Sequence, residues 1–254
     1  MKIVRTIAEL EVDGAVGLVP TMGALHAGHC SLFRAARAEN ETVVASLFVN
    51  APQFDVQADL AAYPRDEAHD AEIAERAGVD VLFVPTSEEM YPSGFGTWVE
   101  VEPTGEEGAA RPGHFRAVAT VCVKLFNIVR PRRAYFGLKD AQQVAVIKRV
   151  VRDLDLPVEI RVLPTVRDSD GLAFSSRNVR LSPNERDRAL ALPRALSAAA
   201  DTPDPVAAAR AQLNGLNPDY VELVDIGGAT VLAAAVRIGS TRLIDNVLLK
   251  GELR

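Results

Sequence analysis

Cysteine, histidine and tryptophan are all scarce in this chain. Its 254 residues include two cysteines, four histidines and one tryptophan. The thiols, Cys30 and Cys122, are too few for a disulfide framework or a thiolate metal site. They read as small buried apolar residues of a reducing compartment. Beside His26 and His29 only His69 and His114 remain, so neither a zinc site nor any other side-chain metal site is expected. Positive charge is in deficit: 28 Lys and Arg stand against 34 Asp and Glu, a net charge of -6. That excludes a broad basic face for nucleic acid. No apolar run is long enough to span a bilayer. The opening residues, Met1-Lys2-Ile3-Val4-Arg5, lack the apolar core of a signal peptide. The expectation is a cytoplasmic protein with no membrane or nucleic-acid partner.

Hydrophobic residues make up 48% of the chain, enough to bury one large domain or two smaller ones. Short apolar runs recur at residues 15–19, 43–49, 79–84, 134–136 and 158–163. Helix-like segments separate them, at 31–39, 58–77, 117–129 and 140–154. This alternation predicts buried parallel strands in βαβ units. Beyond residue 164 the pattern changes. Ser182-Pro183-Asn184-Glu185 is a helix start with capping-box spacing. Residues 198–211 are alanine-rich, interrupted by Pro203 and Pro205, and predict helical turns with a loop. Three strand-like runs follow, at 220–225, 231–238 and 242–249. The fold class is therefore α/β. A parallel-sheet domain over residues 1–165 is expected to precede a smaller α+β domain over 166–254.

Four segments, each after a strand-like run, carry candidate chemistry. The most informative is Pro20-Thr21-Met22-Gly23-Ala24-Leu25-His26-Ala27-Gly28-His29. It reads as strand, glycine turn and helix N-terminus, with two imidazoles in the turn. Unpaired N–H groups and the positive end of the helix dipole attract phosphate there. The second is residues 48–54, where Asn50 and Gln53 offer neutral amides that suit a hydroxylated substrate. The third is Gly137-Leu138-Lys139-Asp140-Ala141-Gln142-Gln143, a second glycine-to-helix junction with a lysine for phosphate. The fourth, residues 167–178, holds Ser175-Ser176-Arg177, two hydroxyls and a guanidinium matched to polyphosphate oxygens. It lies at the expected domain junction, where a lid closes. The segments 111–116 and 130–133 are locally basic; they read as solvated faces, with His114 and Arg116 bordering a cleft.

This ordered set resembles the pantothenate synthetase (pantoate–β-alanine ligase) family. The resemblance covers residues 20–29, 48–54, 63–65, 90–92, 111–115, 124–131, 137–143, 164–167, 170–178 and 242–246. It implies a Rossmann-like N-terminal domain, a small C-terminal domain and a homodimer. It implies that pantoate and ATP, with Mg²⁺, form pantoyl adenylate and pyrophosphate, and that β-alanine then gives pantothenate and AMP. Carried over by position, Met22, Gly23, Ala24, Leu25, His26, Ala27, Gly28 and His29 resemble the nucleotide-binding turn. Gly137, Leu138, Lys139 and Asp140 resemble a second ATP segment, Val166 an adenine-side backbone contact, and Phe174, Ser175, Ser176 and Arg177 a third ATP segment. His29, His26, Lys139, Ser175, Ser176 and Arg177 become the candidate catalytic donors. Gln53, Gln143 and Asn50 become the groups for pantoate and β-alanine.

The chain also departs from the family pattern. Cys30 stands where an aliphatic residue is commoner, and Ala51-Pro52 where proline directly follows the asparagine, which leaves room for a shift of Asn50. Ala117 replaces a common glycine and is expected to crowd a helix start. Leu138 replaces a polar residue, and Phe174 a methionine or leucine. Two other readings compete. A different nucleotidyltransferase would share the His-x-Gly-His turn but not the paired amides. A non-catalytic nucleotide-binding module would not need the retained donors. A Rossmann dehydrogenase is excluded by the lack of Gly-x-Gly-x-x-Gly after the first run.

Overall fold

The computed structural model describes residues 1–102 and 105–253. The N-terminal part forms β1 (Lys2–Val4), β2 (Val16–Thr21), α1 (Ala27–Glu39), β3 (Thr42–Leu47), α2 (Gln57–Ala61), α3 (Glu67–Arg76), β4 (Val81–Phe83) and α4 (Ser87–Met90). It continues through α5 (Gly105–Ala110), α6 (His114–Val129), β5 (Arg133–Gly137), α7 (Ala141–Asp153) and β6 (Glu159–Leu163). The C-terminal part forms α8 (Pro183–Ala189), α9 (Ala191–Ala199), α10 (Pro205–Gln212), β7 (Tyr220–Asp225), β8 (Ala229–Ile238) and β9 (Thr241–Gly251).

The first six strands make one parallel sheet in the order β1-β4-β3-β2-β5-β6. Its strands alternate between two buried faces, which is why they read as continuous apolar runs. Leu18, Val44, Phe83 and Ala134 face a cluster with Val118, Leu125, Val144 and Ile147 of α6 and α7. Their neighbours Val19, Ala45, Leu82 and Tyr135 face Phe33 and Ala36 of α1 and Ala74 of α3. The last three strands form an antiparallel sheet, β7-β8-β9. One of its faces, with Tyr220, Val231 and Ala233, joins the α6–α7 cluster. The other, with Val221, Leu232 and Ala234, packs on Leu192 and Leu196 of α9. The expected α/β class with a small second sheet is thus the observed one.

The differences are local. β1 pairs with β4 at the sheet edge; three residues, of which only Val4 is buried, carry too little periodicity to announce a strand. The helix expected over 58–77 is two helices, because Tyr63-Pro64-Arg65 intervenes and proline disfavours helix in itself and in the residue before it. The helix expected from 117 starts at His114, with Ala117 buried and its N–H bonded to the Gly113 carbonyl at 3.1 Å, so the start is not crowded. The capping box at Ser182 and Glu185 forms as expected, with Pro183 in the first turn.

Strand order reverses between β2 and β5, the point at which open α/β sheets place ligands. There the ladder is short. β5 pairs with β2 only through Gly17 and Leu18, two residues before Pro20, which has no N–H to donate. Beyond Leu18 the two strands leave a crevice between their C-terminal ends.

Candidate functional site

A cavity of about 240 Å³ fills this crevice. Its walls come from the ends of β2, β3 and β5, from α1, α6 and α7, and from the segment after β6. Met22, His26, Gly28, His29, Asn50, Gln53, Gly137, Lys139, Asp140, Gln143, Val166, Phe174, Ser175, Ser176 and Arg177 all line it. So the four segments singled out above meet in one place. Gly23, Ala24, Leu25, Ala27 and Leu138 do not line it. Leu25 and Leu138 are buried, and Ala27 is exposed.

The two histidines are built into the start of α1. His26 is the N-cap residue, and the Gly28 N–H donates to its Nδ1 at 3.1 Å. The His26 N–H donates in turn to Nδ1 of His29 at 3.2 Å. This is a reciprocal capping box made of imidazoles instead of hydroxyl and carboxylate. A Cβ on Gly28 would lie 2.9 Å from the His26 ring, so only glycine admits the first bond. Both Nδ1 atoms accept, so each neutral ring carries its proton on Nε2. Burial, reinforced by Lys139, pushes His26 down to about 4. Burial also drives His29 well below its ordinary range, with His26 and Lys139 adding to the effect. Near neutral pH the pair therefore offers two uncharged N–H donors. The Phe174 ring lies over His26, 5.9 Å between centroids at 22°, and closes this side of the cavity.

Neutral amides line the same cavity. Asn50 is 1% exposed and fully engaged. It donates to the Gln53 side-chain oxygen (2.9 Å) and the Ala117 carbonyl (3.3 Å), and accepts from the Tyr91 hydroxyl (2.7 Å). The Ala51-Pro52 pair fits a short 3₁₀ turn over Ala51–Gln53 and leaves this network intact. Gln53 Nε2 reaches Met22 Sδ at 2.9 Å. The adjacent glutamines on α7 part company. Gln143 lines the cavity, whereas Gln142 donates to Glu222 of β7 at 3.0 Å.

Positive charge comes from Lys139, 3.5 Å from the Asp140 carboxylate, and from Arg177, 3.8 Å from Asp59. A second cavity of about 170 Å³ adjoins the first and shares Arg111, His114, Lys139 and Arg177 with it. Arg111 is more than a solvated face. It pairs with Asp55 at 2.9 Å and donates to His114 Nε2 at 3.1 Å. His114 Nδ1–H then donates to the Gln53 carbonyl at 2.8 Å. Burial and the Arg111 charge push His114 down to about 4. Arg116, by contrast, lies over the Trp98 ring at 5.1 Å and does not line the cavity.

Several supporting residues escaped sequence reasoning. Asn246 of β9 donates to the carbonyls of Leu138 and Lys139 at 2.6 and 3.0 Å, so Leu138 serves through its backbone. Next to it, Asp245 takes a two-point pair from Arg167 at 2.6 and 3.0 Å. Burial raises the Asp245 carboxyl despite that partner. Asp70 of α3 accepts from the N–H groups of Ala24 and Leu25. The familiar tail at 242–246 was a signal for the first two; nothing local marked Asp70.

The pantoate-beta-alanine ligase family model matches residues 1–248. The chain belongs to the pantoate–β-alanine ligase family. The pantothenate synthetase of Roseiflexus castenholzii is 50% identical over 277 aligned residues, covering 98% of this chain and 100% of the relative. That of Moorella thermoacetica is 51% identical, covering 93% and 91%. The crystal structure of pantothenate synthetase from Thermus thermophilus superimposes with a TM-score of 0.91 at 45% identity, covering 98% and 99%. A family structure from Francisella tularensis, complexed with a β-γ ATP and β-alanine, gives 0.84 at 35% identity, covering 98% of each chain. Among the described residues, no helix is long and apolar enough to cross a membrane.

Proposed function

We propose that this chain joins pantoate to β-alanine at the expense of ATP, through a pantoyl adenylate. The observation that carries the reading is one cavity lined by the imidazole-capped helix start, the amides Gln53 and Gln143, Lys139 and Ser175-Ser176-Arg177. A carboxylate oxygen of pantoate attacks the α-phosphorus, and the bond to the β-phosphate oxygen breaks, releasing pyrophosphate. The β-alanine amine then attacks the acyl carbon, AMP leaves, and the amine loses its proton to solvent. No protein nucleophile is needed. Catalysis rests on positioning and on fixed donors aimed at developing charge.

His26 and His29 are the neutral donors to the α-phosphate region. Lys139, Ser175, Ser176 and Arg177 stabilise the leaving pyrophosphate. Gln53 and Gln143 hold pantoate, with Gln53 also serving β-alanine, and Asn50, spent on Gln53, Ala117 and Tyr91, positions Gln53 instead of touching the substrate. Met22, His26, Gly28, His29, Gly137, Lys139, Asp140, Val166 and Phe174 to Arg177 form the ATP site, and Gly23, Ala24, Leu25, Ala27 and Leu138 shape the turns that present them. Among the described residues, no group of three or more His, Cys, Asp or Glu side chains is placed to hold a metal. Mg²⁺ would enter with ATP, held by its phosphates and water beside Lys139 and Arg177, and would supply neutralisation of phosphate charge. The Phe174–Arg177 segment keeps water from the adenylate. We assign residues 1–165 to nucleotide and pantoate binding and 166–254 to the closing domain. The protein works in the cytoplasm as a homodimer, which light scattering on the purified protein tests.

The experiment is direct. The protein is incubated with ATP and Mg²⁺, with and without pantoate, and β-alanine is then added. Pyrophosphate, AMP and pantothenate are followed by mass spectrometry. Pantoate-dependent pyrophosphate release, with pantothenate and AMP appearing after β-alanine, is expected. Folded protein without pantoate-dependent turnover refutes the assignment.

A further inference from the structure

Two consecutive residues just ahead of the imidazole cap, separated from it by Leu25, have an unusual backbone. Gly23 (φ +89°) and Ala24 (φ +52°) are both left-handed. Glycine reaches that region freely, and alanine does so at a cost. Something must hold Ala24 there, and Asp70 is placed to do it. Its carboxylate accepts the Ala24 N–H at 2.9 Å on one oxygen and the Leu25 N–H at 2.7 Å on the other. Asp70 is 2% exposed, and among the described residues it has no ion pair. It is not needed to cap its own helix either, because Asp66 already does so through the His69 N–H. A buried acid is costly without partners, and the partners found for this one are the two turn amides. The turn is shaped around it. A Cβ on Gly23 would lie 2.8 Å from an Asp70 oxygen and 2.9 Å from Leu47. Tyr63 adds a hydroxyl bond to the Gly23 carbonyl at 3.3 Å. Asp70 does not line the cavity; it grips the turn from behind.

We propose that Asp70 is a positioning residue for ATP: by holding Ala24 left-handed, it sets where α1 begins and so where the His26 and His29 donors point. The inference rests on the reading that this turn binds the nucleotide. It separates from a simple charge effect by sign. Removing a background negative charge would tighten binding of anionic ATP, whereas loosening the turn weakens it.

The test is Asp70→Asn in the full chain. The variant keeps volume and one acceptor but sets an NH₂ against a backbone N–H. We expect the KM for ATP to rise about tenfold, kcat to fall, and the KM for pantoate to change less than about twofold. Adding Ala24→Gly to Asp70→Asn should recover about fivefold of the loss, more than the same change does in the wild-type background. Should Asp70→Asn not fold, Asp70→Glu keeps the charge and displaces it by a methylene, and the same split between ATP and pantoate is expected. An unchanged or lower KM for ATP, equal losses for ATP and pantoate, or no extra rescue by Ala24→Gly would overturn the proposal. Wild-type protein without pantoate-dependent pyrophosphate release would instead overturn the functional reading beneath it.

Discussion

Acidification should loosen this fold through His114 in a way that one substitution can isolate. The ring is 8% exposed, with Nδ1–H given to the Gln53 carbonyl and Nε2 accepting from Arg111. A second proton would have to enter at Nε2, against a guanidinium. Burial comes first and Arg111 second in lowering the group from 6.5 to about 4, with the bond to the Gln53 carbonyl, then Glu107 and Asp140, opposing. The folded value lies below the unfolded one, so the unfolded chain takes up the proton first. Stability therefore rises with pH between about 4 and 6.5 and is lost as pH falls through that window. The loss is about 2 kcal/mol on going from about pH 7 to about pH 4.5, and approaches about 3 kcal/mol below the folded value. Urea unfolding followed by circular dichroism would measure it in the wild type and in His114→Asn. The variant keeps a donor for Gln53 and does not titrate. It should start less stable near neutral pH, because Arg111 loses its acceptor, and then fall less steeply by about 2 kcal/mol. Carboxylates and the other histidines titrate in both proteins and cancel in the comparison. Parallel pH profiles would refute the account of His114 as a buried neutral acceptor.

Four further substitutions test the site. His29→Ala should slow pyrophosphate release by about tenfold or more while ATP binding, read by calorimetry, changes far less; near-normal turnover would remove its catalytic part. Gln143→Ala should raise the KM for pantoate with ATP binding nearly intact. Gln142→Ala should instead lower the melting temperature, because it removes the amide bond to Glu222 and leaves that carboxylate, among the described residues, only the Glu106 N–H; equal effects on pantoate from the two glutamines would refute the division between them. Asn246→Ala, which removes two hydrogen bonds to the Leu138 and Lys139 carbonyls, should destabilise the fold by about 1–3 kcal/mol and raise the KM for ATP. A stability loss with unchanged ATP kinetics would show that the clamp does not reach the site.

Much of this arrangement could be read from local pattern. The parallel strands were visible because both faces of the sheet are covered, so Val43-Val44-Ala45 and its counterparts are apolar without a break. The cavity-lining segments were visible because each sits where a strand ends in a polar or glycine-bearing turn. What stayed hidden depends on separation in sequence. Asp70 lies 45 residues from Leu25, and in its own helix it is one acid among several. Arg111 reads as part of a solvated basic patch because its partners, Asp55 and the Gln53 carbonyl, arrive from about 60 residues away. The imidazole cap was half visible. Spacing placed both rings at a helix start, but which nitrogen carries the proton follows only from the backbone N–H groups found there.

The clamps from β9 bear on the order in which this molecule becomes competent. Arg167 meets Asp245 across 78 residues, and Asn246 meets Lys139 across 107. Contacts spanning so much chain form late and slowly compared with a turn or a helix cap. A growing polypeptide can assemble the parallel sheet and the imidazole-capped turn well before the last strand exists, yet its lysine turn and the segment after β6 stay unfastened until β9 docks. Nucleotide grip is thus a property of the finished chain. An intermediate caught before that final strand closes would hold the right residues in the wrong order of tightness, and ATP itself, by favouring the docked form, would pull such intermediates toward completion.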